Sequence, residues 1–333
     1  MLAAIFGVSG QALTSEERAF FRDVQPLGFI VFARNIAEPD QVRRLIEELR
    51  ASVDHADAPV LIDQEGGRVQ RLRPPHWRAA ASAATFGTLA AQRASDGRKA
   101  VFLNHQLIGA ELASLGVDVD CAPLIDVHQP GAHDVIGDRA FGGDPEQVAT
   151  LGRAAADGLM SAGITPIIKH IPGHGRSMVD SHHDLPRVTT AHDELARIDF
   201  VPFQRLADLP WAMTAHIIYE AIDPELPATL SPKVIAEIIR GEIGFSGLLL
   251  SDDLSMKALN GGLADLARQS IAAGCDVALH CNGKMEEMLQ VAAGAPPLSK
   301  EGLERYTRGR RQVGRGRLGQ LDQVEKELAT LLA

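Results

Sequence analysis

The sequence predicts a single-domain (β/α)8 barrel, and three observations carry that expectation. Eight short β-rich runs recur, at residues 3–8, 29–32, 60–63, 117–123, 164–170, 212–218, 248–252 and 276–280, and eight parallel strands close a barrel. Stretches of helical period lie between most of them, at 40–52, 147–161, 193–207 and 232–242, an alternation that calls for parallel pairing with right-handed crossovers. Several runs end in or just before an ionisable residue: Asp63, Asp126, His170, His216, Asp252 and His280. In such a barrel the carboxyl ends of the strands form the active face. A doubly wound open sheet is the rival that the same alternation permits.

Taken in order, the first helix opens after Gly10 with Thr14-Ser15-Glu16-Glu17, a cap with acids in the first turn. The Pro- and Ala-rich region 73–92 has no clean period and is read as a long crossover beside the mouth. Ser231-Pro232 starts another helix, with Ser as cap and Pro at the first helical position. The arginines of 308–317 suit either an anionic partner or a solvated terminal helix, and the second reading is preferred because acids lie nearby and the end is apolar. The whole of 1–333 is therefore one catalytic barrel domain, with 300–333 a helical extension packed on it.

The chain has 333 residues, 45% apolar and 23% charged, with a formal net charge of −10. That acidity disfavours nucleic acid as a partner, and no apolar run approaches the roughly 18 residues a membrane helix needs. Residues 1–10 lack a basic segment and are too short for a signal core with its cleavage site, so the cytoplasm is expected. Cys121, Cys275 and Cys281 show no CxxC spacing and read as buried thiols.

Chemistry concentrates in four places. An apolar run delivers Lys169-His170-Ile171-Pro172-Gly173-His174-Gly175, with Asp180-Ser181-His182-His183 one short loop further on. Asp180 would orient the His182 imidazole and favour its protonated form, as a general acid requires. The four histidines could instead gather a metal, but no HExxH spacing is present. Lys169 suits a hydroxyl-binding cation or, as in barrel aldolases, a Schiff base. Ser251-Asp252-Asp253-Leu254-Ser255-Met256 places two carboxylates at a strand end, where the pleat sends them in different directions. Asp252 can be a nucleophile, or both acids can cap the next segment. Asp63 and Arg71, in Asp63-Gln64-Glu65-Gly66-Gly67-Arg68-Val69-Gln70-Arg71, can grip vicinal hydroxyls or simply pair across a turn. Arg139, in Ile136-Gly137-Asp138-Arg139, adds a cation after the fourth strand.

In this order the motifs resemble the glycoside hydrolase family 3 β-N-acetylglucosaminidases, and most closely the short bacterial form of peptidoglycan recycling. The resemblance implies a retaining hydrolysis with Asp252 as nucleophile, His182 as acid/base and Asp180 as its partner. Asp63, Arg71, Arg139, Lys169 and His170 would bind the sugar and His174 would support the loop. It implies no metal or organic cofactor, a muropeptide substrate bearing terminal N-acetylglucosamine, and a monomer. An imidazole acid also makes chemical sense: a second carboxylate about 5 Å from the nucleophile would raise pKa values by repulsion, and an imidazole adds no negative charge. Phosphorolysis of the same bond is the alternative within this chemistry.

Overall fold

A computed structural model of the chain describes residues 1–131, 136–177, 185–314, 316 and 320–333. Its strands are Leu2–Gly7 (β1), Pro26–Val31 (β2), Val60–Ile62 (β3), Val119–Asp120 (β4), Thr165–Ile171 (β5), Arg187–Val188 (β6), Trp211–Thr214 (β7), Ile218–Tyr219 (β8), Leu248–Asp253 (β9) and Val277–His280 (β10). Eight of them close a parallel barrel in the order β1-β10-β9-β7-β5-β4-β3-β2, while β6 and β8 pair as a separate two-stranded sheet. The open-sheet rival is excluded because β1 pairs with both β2 and β10.

All eight runs expected from the sequence are barrel strands. Their extents differ, most at two of them: the run at 117–123 keeps only Val119–Asp120 as strand, and the run at 212–218 stops at Thr214 as a barrel strand, with Ile218 beginning β8 of the outer pair. The first helix, Ser15–Val24, has Thr14 and Glu17 in a reciprocal capping box. The Ser231 hydroxyl accepts the Val234 N–H at 3.0 Å, although most of the segment that follows, Val234–Glu242, winds as a π-helix. The expected helix at 193–207 is two short helices, His192–Arg197 and Val201–Arg205, with Pro202 near the start of the second. Part of the expected crossover at 73–92 is a helix, Ala83–Gln92. Its alanines blur any contrast between an apolar and a polar face, which hid the period.

Pleat alternation divides the core. Ile5, Ile30, Leu61, Ile167, Leu248 and Leu250 point into the barrel and pack together, whereas Val60, Ile62 and Ala278 pack outward against helices. Gly7 permits a close approach along the rim: a Cβ there would sit 2.1 Å from the Cys281 carbonyl oxygen.

At the amino ends of the strands the barrel is plugged by the helix Lys300–Val313. Tyr306 packs on Trp211 with ring centroids 5.8 Å apart, and Gly309 lies so close to Trp211 that a Cβ would be 2.6 Å from its Nε1. The arginines of this helix neutralise carboxylates that precede strands. Arg310 donates to Asp118 at 2.6 Å and Arg305 to Asp276 at 2.6 Å. These contacts give Arg305 and Arg310 structural duties within the chain.

Truncating the plug, Tyr306→Ala, is expected to cost about 3 kcal/mol of stability through the cavity it leaves. Because Tyr306 sits at the end opposite the polar strand termini, kcat/KM should stay within about twofold of the parent. Denaturant titration and steady-state assay of the same preparation check both halves.

Candidate active site

The pleat that fills the barrel with aliphatic side chains also builds its mouth. On β9 the inward series Leu248, Leu250 continues to Asp252, and beyond β3 the inward Leu61 is followed two residues on by Asp63. Along β5 the inward Ile167 is followed by Lys169, and the β5–β7 register then shifts between Lys169 and Ile171. That irregularity resets the alternation, so His170 lines the same space as Lys169. The result is a cavity of about 380 Å³ at the carboxyl ends of the strands, lined by Asp63, Arg71, Arg139, Lys169, His170, His174, Asp252 and Asp253 among polar groups. Its apolar lining includes Phe32, Met213, Met256 and Leu279, the mixture expected of a small-ligand cleft.

A buried ion network forms one wall. Lys169 Nζ lies 2.8 Å from Asp63 Oδ1 and 2.7 Å from Glu65 Oε1. Arg71 Nη2 reaches Asp63 Oδ2 at 3.2 Å, and the Arg139 fork holds Glu65 through Nε at 2.9 Å and Nη2 at 2.8 Å. Burial alone would raise both carboxyl pKa values. Lys169 and Arg71 instead hold Asp63 well below the usual range, and Arg139 with Lys169 lowers Glu65 to about 2. Burial would lower Lys169, yet Asp63 and Glu65 raise it, so it is a fixed ammonium. Among the described residues, Lys169, Arg71 and Arg139 thus share the two carboxylates of Asp63 and Glu65. The sequence reading of Asp63 and Arg71 had two branches, hydroxyl binding or pairing across a turn; the side chains do pair, and both also line the cavity.

A second buried carboxylate, Asp126, organises the histidines. It accepts His170 Nδ1 at 2.8 Å, the His170 N–H at 3.1 Å and the His174 N–H at 2.6 Å. Gly175 makes this close packing possible, since a Cβ there would lie 1.9 Å from the Val127 carbonyl oxygen. With Nδ1 committed to Asp126, the other nitrogen of His170 is left for a ligand. Burial, reinforced by His170, lowers His174 to about 4, so its ring is neutral near pH 7.

The two carboxylates at the end of β9 divide as alternation requires. Asp252 Oδ1 accepts the Asp253 N–H at 2.8 Å. The Asp253 carboxylate turns the chain by accepting from Ser255 N at 3.0 Å, Ser255 Oγ at 2.8 Å and Cys281 N at 3.2 Å. Burial would raise the Asp252 pKa, but the imidazoles of His216 and His170, the Asp253 N–H and the Lys169 ammonium outweigh it and keep it below its ordinary value. Asp252 is thus ionised at neutral pH.

Asp180 and His182, like the neighbouring His183, lie outside the described residues. The segments flanking them are anchored. Arg176 donates to Asp199 at 2.7 Å and pairs with Glu194 at 2.9 Å, and the Tyr219 hydroxyl donates to the Gly173 carbonyl at 2.6 Å. Among the described residues no cluster of three or more His, Cys, Asp or Glu is arranged to hold a metal.

Residues 5–303 match the model of the glycosyl hydrolase family 3 N-terminal domain. The chain belongs to glycosyl hydrolase family 3. This family 3 glycoside hydrolase is 44% identical to a protein of Alkalilimnicola ehrlichii named beta-hexosaminidase, over 84% of this chain and 80% of that one. In three dimensions it is similar to native NagZ from Neisseria gonorrhoeae, with a TM-score of 0.88, 30% identity, and 99% of this chain and 98% of that one covered. A family 3 β-N-acetylglucosaminidase from Paenibacillus matches with a TM-score of 0.84 and 31% identity, but there this chain covers 66% of the longer partner. No helix of the described residues is long and apolar enough to cross a membrane.

Glu65 was not among the site residues expected from the sequence, because its partner Arg139 is 74 residues away and pattern has no reach over that distance. Asp126 and His216 were visible as polar strand ends, without any sign of what they hold.

Substituting Glu65→Gln strands Lys169 and Arg139 without their shared carboxylate and is expected to cost roughly 3–5 kcal/mol near pH 7. The folded pKa of Glu65 is depressed, to about 2, against about 4.3 when unfolded, so its contribution is complete above the unfolded value and disappears as pH falls through the folded one. Urea titrations should show the gap between variant and parent closing between about pH 5 and pH 2.

Proposed function

We propose that this enzyme is a retaining exo-β-N-acetylglucosaminidase that removes terminal β-linked N-acetylglucosamine from muropeptides, GlcNAc-1,6-anhydroMurNAc and its peptide derivatives, in cytoplasmic cell-wall recycling. The observation that carries the proposal is the ionised Asp252, set in a sugar-sized polar cavity within reach of the field of Lys169 and His170. The relatives' names, beta-hexosaminidase and β-N-acetylglucosaminidase, support the sugar.

In this reading Asp63, Arg71, Arg139, Lys169 and His170 hold the hydroxyls of the terminal sugar, and His174 supports the loop. The carboxylate of Asp252 attacks the anomeric carbon while the bond to the leaving oxygen breaks, and His182, oriented by Asp180, gives that oxygen its proton. Water then attacks the same carbon, His182 takes a proton from it, and the Asp252 ester bond breaks to restore the carboxylate. Two displacements return the original anomeric configuration, and no cofactor enters the balance. The Lys169 ammonium, pinned between two carboxylates, has no free amine to offer a carbonyl, which stands against a Schiff-base aldolase.

Asp252→Ala should lower kcat by on the order of 10³-fold or more on every substrate. His182→Ala should lower kcat/KM about 10²–10⁴-fold on the natural disaccharide and less than about tenfold on an aryl glycoside whose leaving group needs no proton. Equal losses on the two substrates would remove His182 from the acid role. Chromatography of the product made in phosphate buffer should give free N-acetylglucosamine; its 1-phosphate would mean phosphorolysis.

A further inference from the structure

Behind the cavity, and outside its lining, Thr214, His216 and Thr229 are fully buried. His216 Nε2 lies 3.0 Å from the main-chain carbonyl oxygen of Asp253. A carbonyl only accepts, so Nε2 carries the proton. Burial lowers the His216 pKa, and its Nδ1 faces the Thr229 hydroxyl. The Thr229 hydroxyl lies 2.7 Å from Nδ1 and 3.1 Å from the Ala215 carbonyl oxygen, to which it also donates. Thr229 Oγ1 is in turn 2.8 Å from Thr214 Oγ1. A chain of contacts thus links Thr214 and Thr229 through His216 to the main chain of Asp253.

Asp253 is consequently held from two sides. His216 fixes its carbonyl, and Ser255 and Cys281 fix its carboxylate. Held in this way, its N–H stands 2.8 Å from Asp252 Oδ1, which engages one carboxylate oxygen and leaves Oδ2 for the cavity. We propose that His216, held at Nδ1 by Thr229, is a positioning residue for the nucleophile, acting through the main chain of Asp253. The proposal rests on Asp252 being the nucleophile. It assigns a role in the reaction to two residues that lie outside the cavity lining.

The test compares Thr229→Val, which removes the hydroxyl at nearly constant volume, with His216→Ala and with His216→Gln, whose amide restores a donor toward the Asp253 carbonyl. For each, kcat and KM are measured on an aryl β-N-acetylglucosaminide. The rate of covalent labelling by 5-fluoro-N-acetylglucosaminyl fluoride is followed by rapid quench and peptide mapping. A nucleophile displaced by a fraction of an ångström should slow labelling and kcat about tenfold in Thr229→Val and about 10²-fold in His216→Ala, with KM within about threefold. His216→Gln should recover at least about tenfold of the loss. Thr229→Val at the parent rate, a rise in KM that matches the fall in kcat, or His216→Gln no better than His216→Ala would each overturn the proposal. Thr229→Val decides alone if His216→Ala does not fold. A label on a residue other than Asp252 in the parent enzyme would instead overturn the nucleophile assignment, so the two failures are told apart.

Discussion

Lys169 is almost sealed from solvent, and its ammonium is tolerable there only because Asp63 and Glu65 close on it from two sides. A lone buried cation would shift its pKa and lose its proton. Paired as it is, it does the opposite, and the whole wall of the mouth depends on that. Asp63 holds Arg71, Glu65 holds Arg139, and the residues that hold Lys169 therefore also fix the other two cations. Removing any one carboxylate would leave positive charges facing one another in a low-dielectric space, so the network stands as a unit. The imidazoles of His216 and His170, the Asp253 N–H and the Lys169 ammonium keep Asp252 ionised although it is largely enclosed.

The other half of the site rests on directed hydrogen bonds more than on charge. Asp126 fixes His170 by a side-chain and a main-chain contact and draws His174 against it. His216 fixes the backbone after Asp252. A site that must hold one sugar ring against one carboxylate gains from such rigidity, because a preformed arrangement spends no binding energy on assembling itself. The barrel supplies the platform, since these groups stand at or just beyond the ends of several strands.

Strand number and the pleat were legible in the sequence because both follow from a strict period of two: Leu248, Leu250 and Asp252 form one inward series, and Asp253 must turn aside. His170 breaks that rule, since the register of β5 shifts after Lys169 and no local pattern announces it. The pairing of Glu65 with Arg139 was illegible for another reason, being a contact between distant loops. Helices were legible where faces contrast, as in Pro39–Ala51, and were missed in Ala83–Gln92 because alanine suits either face. The arginines of the terminal helix invited an anionic partner, yet Asp118 and Asp276 at the strand starts take Arg310 and Arg305, a use that appears only once the barrel is closed.

The central claim is that one sugar ring lies between the ion network and Asp252 and becomes bonded to that carboxylate. A crystal structure of the enzyme trapped with a 5-fluoro-N-acetylglucosaminyl donor tests it most directly. The account predicts a bond from Asp252 to the anomeric carbon, with the sugar hydroxyls in hydrogen-bond reach of Asp63, Lys169 and His170. A sugar bonded elsewhere, or seated in the cavity with its anomeric carbon turned from Asp252, would contradict it.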